Sequence, residues 1–309
     1  MISIWKALFI QSVMLLAYIK NSAGTATKES TPHDNCYGKH KMPLNEKTIQ
    51  IQERRFESFS FVNFDKLPIK AGLRHYQQHL EINLEYKKEN IPTVYGGPVD
   101  EFGNYSLSNM YWYGNEHFNE DHNLDGISFP AEFHLAFYNT KHPHLRRASY
   151  RKYGAMVLAF PFKVVENPNS QFFKTLTQYL YMVRMDYDYA SIPLKDIPLL
   201  FEAILQTNLS TFYTYHANTL ENRCFRDVIY FDFFTPLEID VEFVEQIQYI
   251  ETDDGIPLMK IAERHGPPPN GIVIKSNPYA SNDAMEIKNL RNCSNLLLLL
   301  ILRQISFLK

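Results

Sequence analysis

Between Leu107 and Asn139 the apolar and polar positions alternate with the period of strands. Glu132-Phe133-His134-Leu135-Ala136-Phe137 sets Glu132 and His134 on one face. Upstream, Met110-Tyr111-Trp112-Tyr113-Gly114 reads as a second strand, on which Met110 and Trp112 share a face. Asp121-His122 and Leu124-Asp125-Gly126 join the two runs. Other alternating segments, separated by Pro, Asn and Asp clusters, predict many short strands. Helices are few in this reading. Phe172–Met185 is one candidate, with Gln178–Met185 its most continuous part, and Leu194–Ile204 predicts one short helix. The pattern gives a mostly β (α+β) fold.

Composition enlarges this picture without changing it. A chain of 309 residues with 45% hydrophobic content, 20 Tyr and 22 Phe can bury a large core. A net charge of −3 and the absence of a long basic run argue against a nucleic-acid partner. At the N-terminus, Lys6 followed by the apolar run Ala7–Tyr18 and small residues up to Ala23 predicts a secretory signal cleaved near Ala23. That run is too short to span a bilayer. Secretion would make the sequons at Asn104, Asn208 and Asn292 glycosylation candidates. At the other end Leu296–Leu302 is also too short to span. It is either a docking amphipathic tail or, with Ser281-Asn282 as the cleavage site, a GPI-anchor signal broken by Arg303.

The ordered motifs closely resemble the α-class carbonic anhydrases. Ala131-Glu132-Phe133-His134-Leu135 is similar to the family's Ala-Glu-Leu-His-Leu, and Tyr113-Gly114 to its Trp-Gly. Tyr95-Gly96-Gly97-Pro98-Val99-Asp100, Gly154–Phe160, Phe212-Tyr213-Thr214-Tyr215 and Pro267-Pro268-Pro269-Asn270-Gly271 resemble further family segments in the same order. The resemblance implies one domain around a large, twisted, mainly antiparallel sheet with short peripheral helices. It divides the chain into a signal (1–23), a short lead-in (24–35), the domain (36–276) and a polar tail (277–309). It also implies a disulfide between Cys36 and Cys224, leaving Cys293 over.

In that family three histidines hold a catalytic zinc, which keeps one position open for water. By the resemblance, Met110 and Trp112 occupy the first two ligand positions and His134 the third. An indole N–H has no lone pair to offer, and a thioether is too soft for zinc. Leu220 falls at the position of the threonine that orients bound hydroxide, with Asp121 as that threonine's acidic partner. Leu80 falls at the proton-shuttle position, with His79 one residue away and facing oppositely. Glu132 remains as the carboxylate that orients His134. The expectation is therefore a secreted relative without carbon dioxide hydration activity or a bound cofactor, used as an interaction module. Its partner is either a protein or, if Met110, Trp112 and Leu220 make the cleft floor apolar, a small apolar ligand. The alternative is a residual zinc-dependent carbonic anhydrase or esterase with substitute ligands. Such a site built from His117, His122 and His134 requires a fold unlike the family's. His134 as a core histidine, and His142-Pro143-His144 as a solvated basic turn, are the plain readings of those residues.

Overall fold

In the computed structural model the described residues are 51–76, 79–114, 123–124, 127–220, 223–252, 254–255, 257–258 and 272–280. Fifteen strands occur among them: β1 (Ile51–Arg54), β2 (Ser60–Val62), β3 (Lys70–Tyr76), β4 (His79–Glu85), β5 (Thr93–Tyr95), β6 (Tyr105–Gly114), β7 (Asn123–Leu124), β8 (Ile127–Ser128), β9 (Ala131–Asn139), β10 (Ala155–Val164), β11 (Tyr189–Ser191), β12 (Phe212–Leu220), β13 (Arg223–Phe233), β14 (Leu237–Ile239) and β15 (Val273–Ser276). Thirteen form one sheet, whose main path runs β1-β15-β12-β13-β10-β9-β6-β4-β3-β11. Pairing is antiparallel except at β1–β15, β10–β13 and β10–β14. The mostly β architecture and the mainly antiparallel sheet match the expectation from sequence.

The sheet's two faces differ in kind. One carries Met110, Trp112, Phe133, Leu135, Phe160 and Phe231 into the main apolar core. Three helices, α2 (Gln171–Leu180), α3 (Ile197–Leu205) and α4 (Val241–Gln248), bury residues in that same core. Helix α2 follows the short α1 (Leu145–Ala148) and buries Phe172, Phe173, Leu176 and Leu180, the spacing of a single helical stripe. Phe173 meets Phe133 edge-on at 5.9 Å, and Phe243 of α4 lies 6.0 Å from Trp112. Asp240 caps α4 by accepting a hydrogen bond from the Phe243 backbone N–H at 2.8 Å. None of the described helices is long and apolar enough to cross a membrane.

The predicted helix at 172–185 is correct at its start and too long at its end. It stops at Leu180, so most of Gln178–Met185, read as its most continuous part, lies beyond the helix. Buried Val183 and exposed Tyr181, Met182 and Met185 no longer follow a helical stripe. The second helix is close to its expected bounds, with a 3₁₀ turn (Leu194–Asp196) leading into α3 and Pro198 in the first turn. In the Gly96-Gly97-Pro98 segment both glycines take positive φ, 71° and 55°. A Cβ on Gly97 would come within 2.7 Å of the Glu57 carbonyl oxygen, which explains why the turn needs glycine there.

Candidate active-site face

The second face is built outward from β9. Directly opposed residues on neighbouring strands project to the same side of a sheet. On β6, Tyr111 opposes His134. On β10, Ala159 opposes His134 and, on its other side, Asp232 of β13. On β4, Glu81 opposes Tyr111, and His79 lies two residues from Glu81 on the same face. Tyr230 of β13 opposes Tyr215 of β12. The face therefore gathers imidazole, phenol and carboxylate groups around His134, with small Ala159 and Ala136 between them.

His134 and Glu132 form its centre. His134 Nε2 lies 3.0 Å from Glu132 Oε2, and each side chain is only 4% exposed. With Nε2 protonated, the ring N–H donates to the carboxylate and fixes the ring's orientation. A carboxylate so deeply buried needs such a partner. The Tyr111 ring stands edge-on to His134 at 5.3 Å and to His79 at 5.7 Å. Tyr230 lies 6.4 Å beyond His134 and stacks on Tyr215 at 5.4 Å. The Tyr215 hydroxyl donates to Asp232 Oδ2 at 3.1 Å, and Asn109 Nδ2 donates to Glu81 Oε1 at 2.7 Å. The arrangement is a polar aromatic layer suited to hydrogen bonding and proton exchange.

This register corrects part of the sequence reading. Met110 and Trp112 share a face, but it is the one opposite His134. They oppose Leu135 and Phe133 and are fully buried in the main core. Leu80 opposes Trp112 and belongs to that core too, whereas His79 stands on the His134 face. A shift of one residue sends a whole strand to the other side of a sheet. The physical reason lies in an irregularity of β6 between Leu107 and Asn109. Upstream of it Tyr105 and Leu107 join the core, and downstream Met110 and Trp112 do, so the inward parity changes along one strand. With Met110 and Trp112 elsewhere, the apolar cleft floor inferred from them is withdrawn, and with it the small apolar ligand.

Other expected positions divide into placed and unplaced. Leu220 ends β12 opposite Arg223, and Cys224 lies in β13 opposite Thr219. Asp121, Cys36, Asn292, His117, His122, the predicted signal and the C-terminal tail beyond Ala280 lie outside the described residues. Asn104 and Asn208 are exposed, and His142–His144 leads as a turn into α1. The sequence reading missed Asn109, Tyr111, Glu81, Tyr215, Tyr230 and Asp232. The marked pair Glu132 and His134 was the available signal, once strand pairing carries it sideways.

Zinc chemistry of the expected kind needs three good donors. Among the described residues no three His, Cys, Asp or Glu side chains cluster closely enough to hold a metal ion. The β6 residue facing His134 is a phenol, where catalytic zinc takes imidazole, thiolate or carboxylate. The described side chains therefore do not make a catalytic zinc site.

The profile of the eukaryotic-type carbonic anhydrase family matches residues 26–274. A Caenorhabditis elegans protein named "Putative carbonic anhydrase 3" is 26% identical over 107 residues, 34% of this chain and 43% of that protein. Canine carbonic anhydrase 6 is 26% identical over 157 residues, 51% of this chain and 48% of its own. Murine carbonic anhydrase 6 is 22% identical over 253 residues, 80% of this chain and 76% of its own. The chain thus spans less than half the length of the first two relatives.

Proposed function

We propose that this chain, which belongs to the eukaryotic-type carbonic anhydrase family, is a secreted binding module that does not hydrate carbon dioxide. One observation carries the proposal: the residue of β6 opposite His134 is Tyr111. Family chemistry needs a nitrogen donor beside this histidine, and a protonated phenol offers neither the basicity nor the charge match. The fold itself survives, because the opposite, phenylalanine-rich face supplies the packing. A fold shared with enzymes does not confer their activity. Secretion rests on the apolar run Ala7–Tyr18 after Lys6.

Stopped-flow carbon dioxide hydration, with zinc supplied, tests the proposal. The expected rate equals that of buffer alone. A zinc-dependent rate abolished by chelator overturns it. The residual zinc enzyme is the second reading, favoured by one observation. Glu132 holds the His134 ring as an outer carboxylate holds a metal-bound histidine. In that reading, His117 and His122 are the substitute ligands.

A further inference from the structure

The segment Tyr181–Tyr189, between α2 and the start of β11, presents five large apolar side chains to solvent. Tyr181, Met182, Met185, Tyr187 and Tyr189 are 45–62% exposed, and Tyr249, just after α4, is 63% exposed. Arg184 joins the two parts. Its guanidinium carbon sits 5.7 Å over the Tyr249 ring, and its carbonyl accepts the Glu251 N–H at 3.4 Å. Scattered single apolar side chains on a surface need no explanation, but five exposed ones within nine residues do.

The group is held in place. The Tyr187 N–H donates to the His75 carbonyl at 3.0 Å, and Arg74 lies 5.9 Å over the Tyr187 ring and 4.7 Å over Tyr76. Asp188 Oδ2 accepts the Met185 N–H at 2.8 Å. Tyr189 is seated by an absence. Its ring lies over Gly72, where a Cβ would collide with ring atoms Cε2 and Cζ. A glycine inside a seven-residue strand weakens the strand, and here it lets an exposed tyrosine lie flat against the sheet edge. Such preorganisation lowers the entropy cost of association.

Three properties identify the occupant. First, four tyrosines at roughly 150–250 Å² each, more than half exposed, with two methionines, offer on the order of 500–700 Å². That approaches the roughly 800 Å² per partner of a standard interface. Second, six of the segment's nine residues are Tyr, Met or Arg, types enriched at interfaces, beside the two aspartates Asp186 and Asp188. Third, both signs of charge border the group, the exposed Glu251 near Arg184 included. Arg74 and Arg184 accompany Asp186 and Asp188, so the patch complements itself better than a strongly charged partner. It also borders β11, a terminal strand of the sheet.

We propose that Tyr181–Tyr189 with Tyr249 is the interface of a two-fold homodimer of this chain. Each copy places its arginines against the other's aspartates, with the tyrosines and methionines in the centre. The test is sedimentation of the purified full chain over a wide concentration range. The expected mass is twice that of the monomer, which is 36.2 kDa for the unprocessed chain. Tyr187→Glu and, independently, Met185→Glu should each raise the dimer dissociation constant about tenfold or more. Gly72→Ala, which displaces Tyr189, should weaken the dimer by less. Tyr150→Glu, at an exposed tyrosine elsewhere, should leave the mass unchanged. A monomer at every concentration overturns the proposal. So does a dimer indifferent to both glutamate variants, or one equally sensitive to Tyr150→Glu.

Discussion

Strand β6 has two sides of opposite character. Toward the helices, Met110 and Trp112 pack among Phe133, Leu135 and Phe243, with almost no surface left exposed. Toward the other side, Tyr111 stands between His79 and His134 in a layer of hydroxyl, imidazole and carboxylate groups. The first side keeps the fold and tolerates any well-packed apolar residues of suitable volume. The second side is where this family's chemistry would have to reside. Fold and activity can therefore part company by changes on a single face.

The largest effect expected from breaking this contrast is on the core side. Trp112→Ala should destabilise the protein by about 3–5 kcal/mol in chemical denaturation, the usual cost of emptying a large aromatic site. A smaller value would mean that Trp112 faces the site after all. Next comes the buried pair. Glu132→Leu removes the carboxylate that pairs with His134 Nε2, and losing this buried hydrogen bond should cost about 1–3 kcal/mol. Thermal denaturation of the single and double variants, including His134→Leu, would show non-additivity if the 3.0 Å contact is a true pair.

A pH experiment compares the two ends of β6. Tyr105, at its start, is buried, and its hydroxyl donates to the Tyr153 carbonyl at 2.8 Å. Burial pushes that hydroxyl up to about 12 from 10.0. The fold thus favours the neutral phenol. Its contribution is complete below pH 10 and is lost as pH rises through about 12, a loss on the order of 3 kcal/mol. Denaturation midpoints measured at rising alkaline pH should fall less steeply in Tyr105→Phe. Equal slopes in both proteins would remove Tyr105 as the cause.

The smallest expected stability change gives the sharpest comparison of the two faces. Tyr111→His, which exchanges one ring for a smaller one, should cost less stability than Trp112→Ala and increase zinc affinity, because it sets a second imidazole beside His134. Trp112→His should bind no more zinc than the parent and should lose stability. Zinc titration of the two variants distinguishes the faces, and the reverse ranking would refute the register.

Much of the fold was legible in the sequence because ordered motifs and alternating runs agree with one another. Glu132 and His134 share one face of β9, as their alternation indicates, since two polar residues in an apolar strand label its face. Met110-Tyr111-Trp112-Tyr113 carries no such label. All four side chains are large and largely apolar, so period two alone cannot say which pair turns inward. The irregularity near Ser108 adds the extra residue that a count along the chain does not reveal. Helix α2 was overextended for a related reason. Tyr181, Met182 and Met185 look like core residues by composition, yet they lie on the surface.

The central claim is that the described residues of the His134 face do not supply the donors for a catalytic zinc. The most direct test is elemental analysis of zinc in the full chain, purified without added metal or chelator. The account predicts a zinc content near zero per chain. Close to one zinc per chain, retained through dialysis and lost in His134→Ala, would contradict it.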